Sequence, residues 1–302
     1  MSAAALALVV CAALLHASWN LLAKKAAGGA AFVWLYSAAN VVLYAPVVLG
    51  VVWLTRPVWG WREAGFVLMS SALHIGYSLS LQRGYQRADL SIVYPIARGT
   101  GPLFSTLGAV LLLGERPGVF ALASACAIVG GVFVIAGGLA LLRQRDARTG
   151  MGLRYGALTG LFIAAYTVCD GYAVQAVLIA PLLLDYAANV LRCAFLTPRT
   201  LRYKAELERE WRRNKWHAIT IGAIAPLGYI LVLTAMKTAP ISAVAPLREM
   251  SMLVGAFFGA KLLGEGKVWQ RVAGASPFSR AVRRPLRSSR RHFPAASRSL
   301  RT

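Results

Sequence analysis

The chain alternates long apolar runs with short polar breaks. A helix that crosses a bilayer needs about 20 mostly apolar residues. Nine runs meet that length: 3–23, 30–54, 64–83, 90–113, 118–142, 155–176, 177–197, 216–236 and 242–263. The pattern therefore predicts an all-α, polytopic membrane protein. The first run opens with "MSAAALAL", without the charged start of a cleavable signal, and eight runs follow it. It reads as a retained helix. Short breaks predict antiparallel neighbours. The longest break, "TPRTLRYKAELEREWRRNKW" at 197–216, reads as a charged surface loop.

The apolar pattern is also repeated. "GYSLSLQRGYQRADLSIVYPIARG" starts at Gly76, and "GYILVLTAMKTAPISAVAPLREM" starts at Gly228. "LLLGERP" closes the fourth run at Leu111–Pro117, and "KLLGEG" closes the ninth at Lys261–Gly266. The repeat pairs runs three and four with runs eight and nine. Each half then holds five spans. Five is odd, so the second half enters the membrane inverted, as in many secondary transporters. The halves read as 3–142 and 155–275, joined by a linker at 143–154. Residues 276–302 form a basic tail.

Composition changes this picture in two places. The chain is 58% hydrophobic, with a mean hydropathy of +0.58, so lipid is the solvent for much of it. The net charge of +22 falls to +12 without residues 267–302, which carry ten Lys or Arg and no acid. A nucleic-acid site would interleave basic and aromatic residues on a soluble domain, so no nucleic-acid partner is expected. Breaks after odd-numbered runs hold fifteen basic residues against four after even-numbered runs. That bias places the odd breaks in the cytoplasm and the N-terminus outside. Cys11, Cys126, Cys169 and Cys193 are scattered in apolar runs, so no metal site and no cofactor are expected.

Ionisable groups inside a bilayer are costly and tend to face a bundle interior or a pathway. His16, Asn20 and Lys24 share one stripe of the first run, with Trp19 beside them. His74, Tyr77 and Ser78 share a face of the third. In the fourth, Tyr94 and Arg98 are four apart amid Pro95, Gly99, Gly101 and Pro102. The sixth carries Tyr166 and Asp170, and the seventh Asp185, Asn189 and Arg192. Tyr229 lies in the eighth, and Arg248 with Glu249 in the ninth. Asp185 and Arg192 either pair with each other or with neighbours, or face a pathway. Asp170 either neutralises Arg98 or Arg248 or serves as a proton-linked group. The fifth run has no ionisable group and is rich in small residues, which suits packing or a homodimer.

These features resemble the EamA type of the drug/metabolite transporter superfamily. The resemblance rests on paired Pro-containing helices ending in Leu-Gly-Glu, and on "HASWNLLAKK" and "YTVCDG". It covers about residues 3–275. It implies a ten-helix basket of two inverted five-helix repeats in a bacterial cytoplasmic (inner) membrane, moving small metabolites or drugs. It also implies a cavity lined by the first, third, fourth, sixth, eighth and ninth helices. The chain departs from the pattern at its end, where the tenth helix is lost or replaced by the basic tail. "VWQRVAGAS" opens like a helix, and Arg, Ser, Pro and Ala then take over. A shifted reading frame near 275–277 is the favoured account of that change. A native tail that binds anionic lipid is its rival.

The sequence therefore predicts a transporter of a small polar solute, with import and efflux both open, and no enzyme. Candidate solute-binding residues are Arg98, Tyr94, Arg248, Trp19, Asn20, Tyr77, Tyr166 and Tyr229. Candidate proton-coupling residues are Asp170, His16 and His74. The rivals are a non-transporting membrane partner subunit and a membrane sensor.

Overall fold

A computed structural model describes residues 2–26, 28–88, 90–119 and 146–248, with 122, 123, 126, 130 and 131 as isolated positions. Among them are eight helices: α1 (Ala3–Ala26), α2 (Ala30–Thr55), α3 (Trp61–Arg87), α4 (Leu90–Leu113), α5 (Ala147–Gln175), α6 (Pro181–Arg202), α7 (Lys204–Met236) and α8 (Ile241–Arg248). Six of them, all but α6 and α8, are long and apolar enough to cross a membrane. Most of the fifth predicted span and of the ninth, the end of the second half and the basic tail lie outside the described residues.

α2 and α4 follow their apolar runs closely. Elsewhere the helices exceed or shift from the runs. The predicted loop at 197–216 is helical: α6 continues to Arg202, the chain bends at Tyr203, and α7 starts at Lys204. Apolarity reports contact with lipid, whereas helicity needs only good helix formers. "KAELEREWRR" supplies them, and its charges stand in water. Leu207 tucks against the cluster of Ala26, Phe32 and Ile221. Asn214 donates to the carbonyl of Ala26 at 3.3 Å and to Glu210 at 2.8 Å, which ties this extension to the end of α1.

The seventh run, predicted at 177–197, becomes α6 four residues later, with Pro181 in its first turn. It misses the composition of a spanning helix because Asp185, Asn189 and Arg192 are buried on its inner face. Val190 and Phe195 point outward instead. α5 starts at Ala147, within the predicted linker, where Asp146 accepts the Thr149 backbone N–H at 3.1 Å. The Thr149 side chain and N–H together hold the Asp146 carboxyl below its usual pKa.

The helices pack in a regular way. α5 lies along α4 and α3, α7 along α1 and α2, α6 on α2, and α8 on α4. Glycines let the backbones approach. Gly152, Gly156 and Gly160 make a stripe on α5 against Ile92, Ile96 and Thr100 of α4. Gly222 of α7 meets Ala39 and the backbone of Tyr36 and Asn40 in α2.

The Leu-Gly-Glu signature acquires a physical meaning here. Leu113 ends α4, and Gly114 has φ +69°, the left-handed conformation that stops a helix. The turn brings Glu115 to the start of α8. Its two carboxylate oxygens accept the backbone N–H groups of Ile241 at 2.8 Å and Ser242 at 3.0 Å. A carboxylate there satisfies two otherwise unpaired donors and complements the helix dipole. Glu115→Ala is expected to destabilise the protein by about 1–2 kcal/mol. Glu115→Gln, which keeps an acceptor, should lie between Glu115→Ala and the parent in thermal unfolding. Equal melting of all three proteins refutes the cap.

Candidate functional site: a polar cavity between six helices

Midway along the helices, α1, α2, α3, α5, α6 and α7 enclose a cavity of about 600 Å³, counting its open mouth. It is built in layers. α3 and α5 contribute an aromatic wall. The His74 imidazole stacks on Tyr166 at 4.1 Å between ring centroids. Tyr166 also meets Tyr77 and Tyr229 edge-on, at 5.6 and 5.9 Å. α1 contributes His16 and Trp19, whose rings meet edge-on at 5.5 Å. α2 adds Tyr36 and Asn40, and α6 adds Asp185, Asn189 and Arg192.

The candidate residues from the sequence divide into two groups. Trp19, Tyr77, Tyr166, Tyr229, His16 and His74 line the cavity. Asn20, Tyr94, Arg98, Asp170 and Arg248 stand behind its wall and hold it. Arg98 is 2% exposed, donates to Asn20 Oδ1 at 3.1 Å and lies 5.5 Å from the Tyr94 ring. Asn20 is itself fixed by donating to the His16 carbonyl at 2.7 Å. Arg248 is fully buried, 5.9 Å from the Tyr166 ring and 3.5 Å from the Thr167 hydroxyl. Both arginines thus grip residues next to or within the cavity lining.

The nearest polar partners of Asp170 among the described residues are neither arginine. The Tyr229 hydroxyl donates to its Oδ2 at 2.6 Å, and His74 Nδ1 lies 3.9 Å from the same oxygen. The result is a connected set: a buried carboxylate, a histidine against it, and a tyrosine linking it to the cavity. The same Nδ1 lies 2.9 Å from the Ser70 carbonyl oxygen, which is its hydrogen-bond partner. Nor do Asp185 and Arg192 pair with each other. No ion pair within 4 Å joins them among the described residues, and both face the cavity.

The set of lining helices differs from the expectation. The fourth helix and the described part of the ninth contribute no lining residue, whereas α2 and α6 do. α4 and α8 are the helices that carry the walled-off Arg98 and Arg248. α2 reads as almost uniformly apolar, which hides Tyr36 and Asn40. A signal was nonetheless present. "LYSAANV" at 35–41 and "LDYAANV" at 184–190 share five of seven positions, and both asparagines line the cavity.

Several polar atoms at the cavity wall have no hydrogen-bond partner among the described residues. They are His16 Nδ1, Trp19 Nε1, the Asn40 amide and Arg192 Nε. Buried polar groups are rarely left so, and such atoms suit a polar occupant.

No protein-family model matches the chain, and no curated protein matches it. It shares its fold with a protein of known structure. That structure, described only as "Crystal structure of protein", superposes with a TM-score of 0.65 at 16% identity. The match covers 95% of this chain and 99% of the other. At that identity the likeness concerns the fold, a helical bundle with several membrane-length helices.

Proposed function

We propose that the chain is a membrane transporter that moves a small polar solute by alternating access. The observation that carries this reading is the cavity, polar and aromatic, held between six helices of which five are long and apolar enough to cross a membrane. Acids and imidazoles come from separate helices and meet in one set, Asp170 with His74 and Tyr229, which this reading assigns to proton coupling rather than to catalysis.

The finer assignment is the EamA type, two inverted five-helix repeats in the bacterial cytoplasmic membrane. Three features support it. Residues about 150 apart occupy matching places: Tyr77 with Tyr229, Asn40 with Asn189 and His16 with Tyr166 in the lining, and Arg98 with Arg248 behind it. Packing is reciprocal when α1 is exchanged with α5 and α3 with α7, since α1 lies on α7 and α3 on α5. Gly76 meets Phe162 of α5, and its counterpart Gly228 meets Leu15 of α1. Glu265 is the sequence counterpart of Glu115 and lies outside the described residues.

Arg98→Ala tests the reading. It removes the clamp on Asn20 and Tyr94 without touching the lipid-facing surface. Solute flux in vesicles is expected to be abolished while membrane insertion stays normal. The solute would come from a thermal-shift screen of amino acids, nucleobases and organophosphorus compounds. Unchanged flux shows that the Arg98 clamp on Asn20 and Tyr94 is not needed for transport.

A further inference from the structure

Arg98 and Arg248 stand behind the wall, so neither presents its charge directly to a solute. Among the described cavity-lining residues, Arg192 is the arginine that does. It is 8% exposed and lies on the inner face of α6, and its Nε has no hydrogen-bond partner. No carboxylate comes within 4 Å of it among the described residues. Asp185 and Asp170 act on its charge only from beyond ion-pair distance, so its planar fork of donors stays open to an acidic oxygen group. Neighbouring groups extend the match: the Asn40 amide, beside Asp185, makes no hydrogen bond within 3.5 Å among the described residues, and Asn189 sits one turn away from Asp185 on the same face.

From this geometry we infer that Arg192 is the solute anchor, and that the solute carries one singly charged acidic oxygen group, a carboxylate or a phosphonate monoester. This inference rests on the transport reading. Asp185 restricts the class further. It lies seven residues before Arg192 on the same face, so it repels a second negative charge in the cavity. Polyanions are thereby disfavoured. The aromatic wall of Tyr77, Tyr166 and Tyr229 offers a surface for an apolar or planar body. The same wall carries His74 stacked on Tyr166, which fixes the ring positions.

The test needs no knowledge of the natural solute. Ala225 and Ser78 line the cavity on α7 and α3. Each is replaced by cysteine in a background where Cys11, Cys126, Cys169 and Cys193 are removed. Rates of modification are compared for two methanethiosulfonates of similar size, one sulfonate-bearing and one trimethylammonium-bearing, with a neutral reagent as reference. With Arg192 present, the anionic reagent is expected to react faster relative to the cationic one. In Arg192→Gln that ratio is expected to fall by about tenfold or more, and Arg192→Lys should keep most of it. Normal elution of both variants on size exclusion shows that they are folded. Benzoate and monomethyl phenylphosphonate are then tested for slowing the reaction, against benzamide and benzylammonium. Protection by one acid alone assigns the group as carboxylate or phosphonate.

A ratio that does not change in Arg192→Gln overturns the anchor. A parent ratio that still favours the cationic reagent after division by the same reagents' rates with a free thiol does so too. Failure of both cysteines to react even with the neutral reagent would sink the transport reading itself, because the cavity would be closed to solutes.

Discussion

Gly160→Leu is expected to abolish the folded protein: no monodisperse species in detergent and little accumulation in the membrane. A side chain at 160 has nowhere to go. Its Cβ alone would overlap the Thr100 hydroxyl, and it would lie 3.0 Å from Thr100 Cβ and 3.1 Å from the Ala97 carbonyl oxygen. Thr100 cannot swing aside freely, because its hydroxyl donates to the Ile96 carbonyl at 2.7 Å. The carbonyl is backbone and moves only with α4. The neighbouring Gly156 and Gly152 are equally close to Ile96 and Ile92, so a local shift is not absorbed up the seam. Overpacking usually costs about 1–3 kcal/mol. Wedging apart the α4–α5 contact, among the most extensive in the molecule, should reach or exceed the upper end. Gly150→Leu is the control. A Cβ there meets nothing within 4 Å, and the protein is expected to fold normally. If the two variants behave alike, the glycine seam is not what holds α4 to α5.

The second large effect concerns Asp170. The residue is fully buried, accepts the Tyr229 hydroxyl at 2.6 Å and faces His74 at 3.9 Å. Asp170→Asn keeps the shape and an acceptor but removes the titratable group. Membrane insertion and solute binding are expected to survive, and flux driven by a proton gradient is expected to be lost. Flux driven by the solute's own gradient should persist, which separates coupling from binding. Stability gives an independent reading. In a double-mutant cycle of Asp170→Ala with Tyr229→Phe, the coupling energy is expected to be about 1–2 kcal/mol. Proton-driven flux that is intact in Asp170→Asn removes the residue from the coupling path. A coupling energy near zero removes the hydrogen bond from the fold's support.

Much of the architecture was legible because a bilayer imposes a simple rule. An apolar run of sufficient length must be a helix there, so α2 and α4 fall at the predicted limits. The rule fails where helices leave the lipid. The charged start of α7 looked like a loop because apolarity was the signal being read. The Tyr203 bend carries no Gly or Pro to mark it. The chemistry of α6 was visible as an i, i+4, i+7 stripe, but its role was ambiguous, since an internal Asp–Arg pair gives the same pattern. Only the fold shows that both groups face a cavity. Arg98 and Arg248 drew attention because a buried charge in a membrane helix is rare. Burial in the wall and burial in the lining leave the same trace in sequence. Glu115 could not be understood alone, because its partners, the N–H groups of Ile241 and Ser242, lie 126 and 127 residues away.

The central claim is that the cavity opens alternately to the two sides of the membrane. It is tested most directly by labelling Ala225→Cys, in the cysteine-free background, with a membrane-impermeant maleimide. The reagent is applied to right-side-out and to inside-out vesicles. An alternating-access transporter predicts labelling of the same cysteine from both sides. Saturating solute should then change the two rates in opposite directions. Labelling from one side only, unaltered by any solute, contradicts the account and favours a sensor or a structural partner subunit with a fixed pocket.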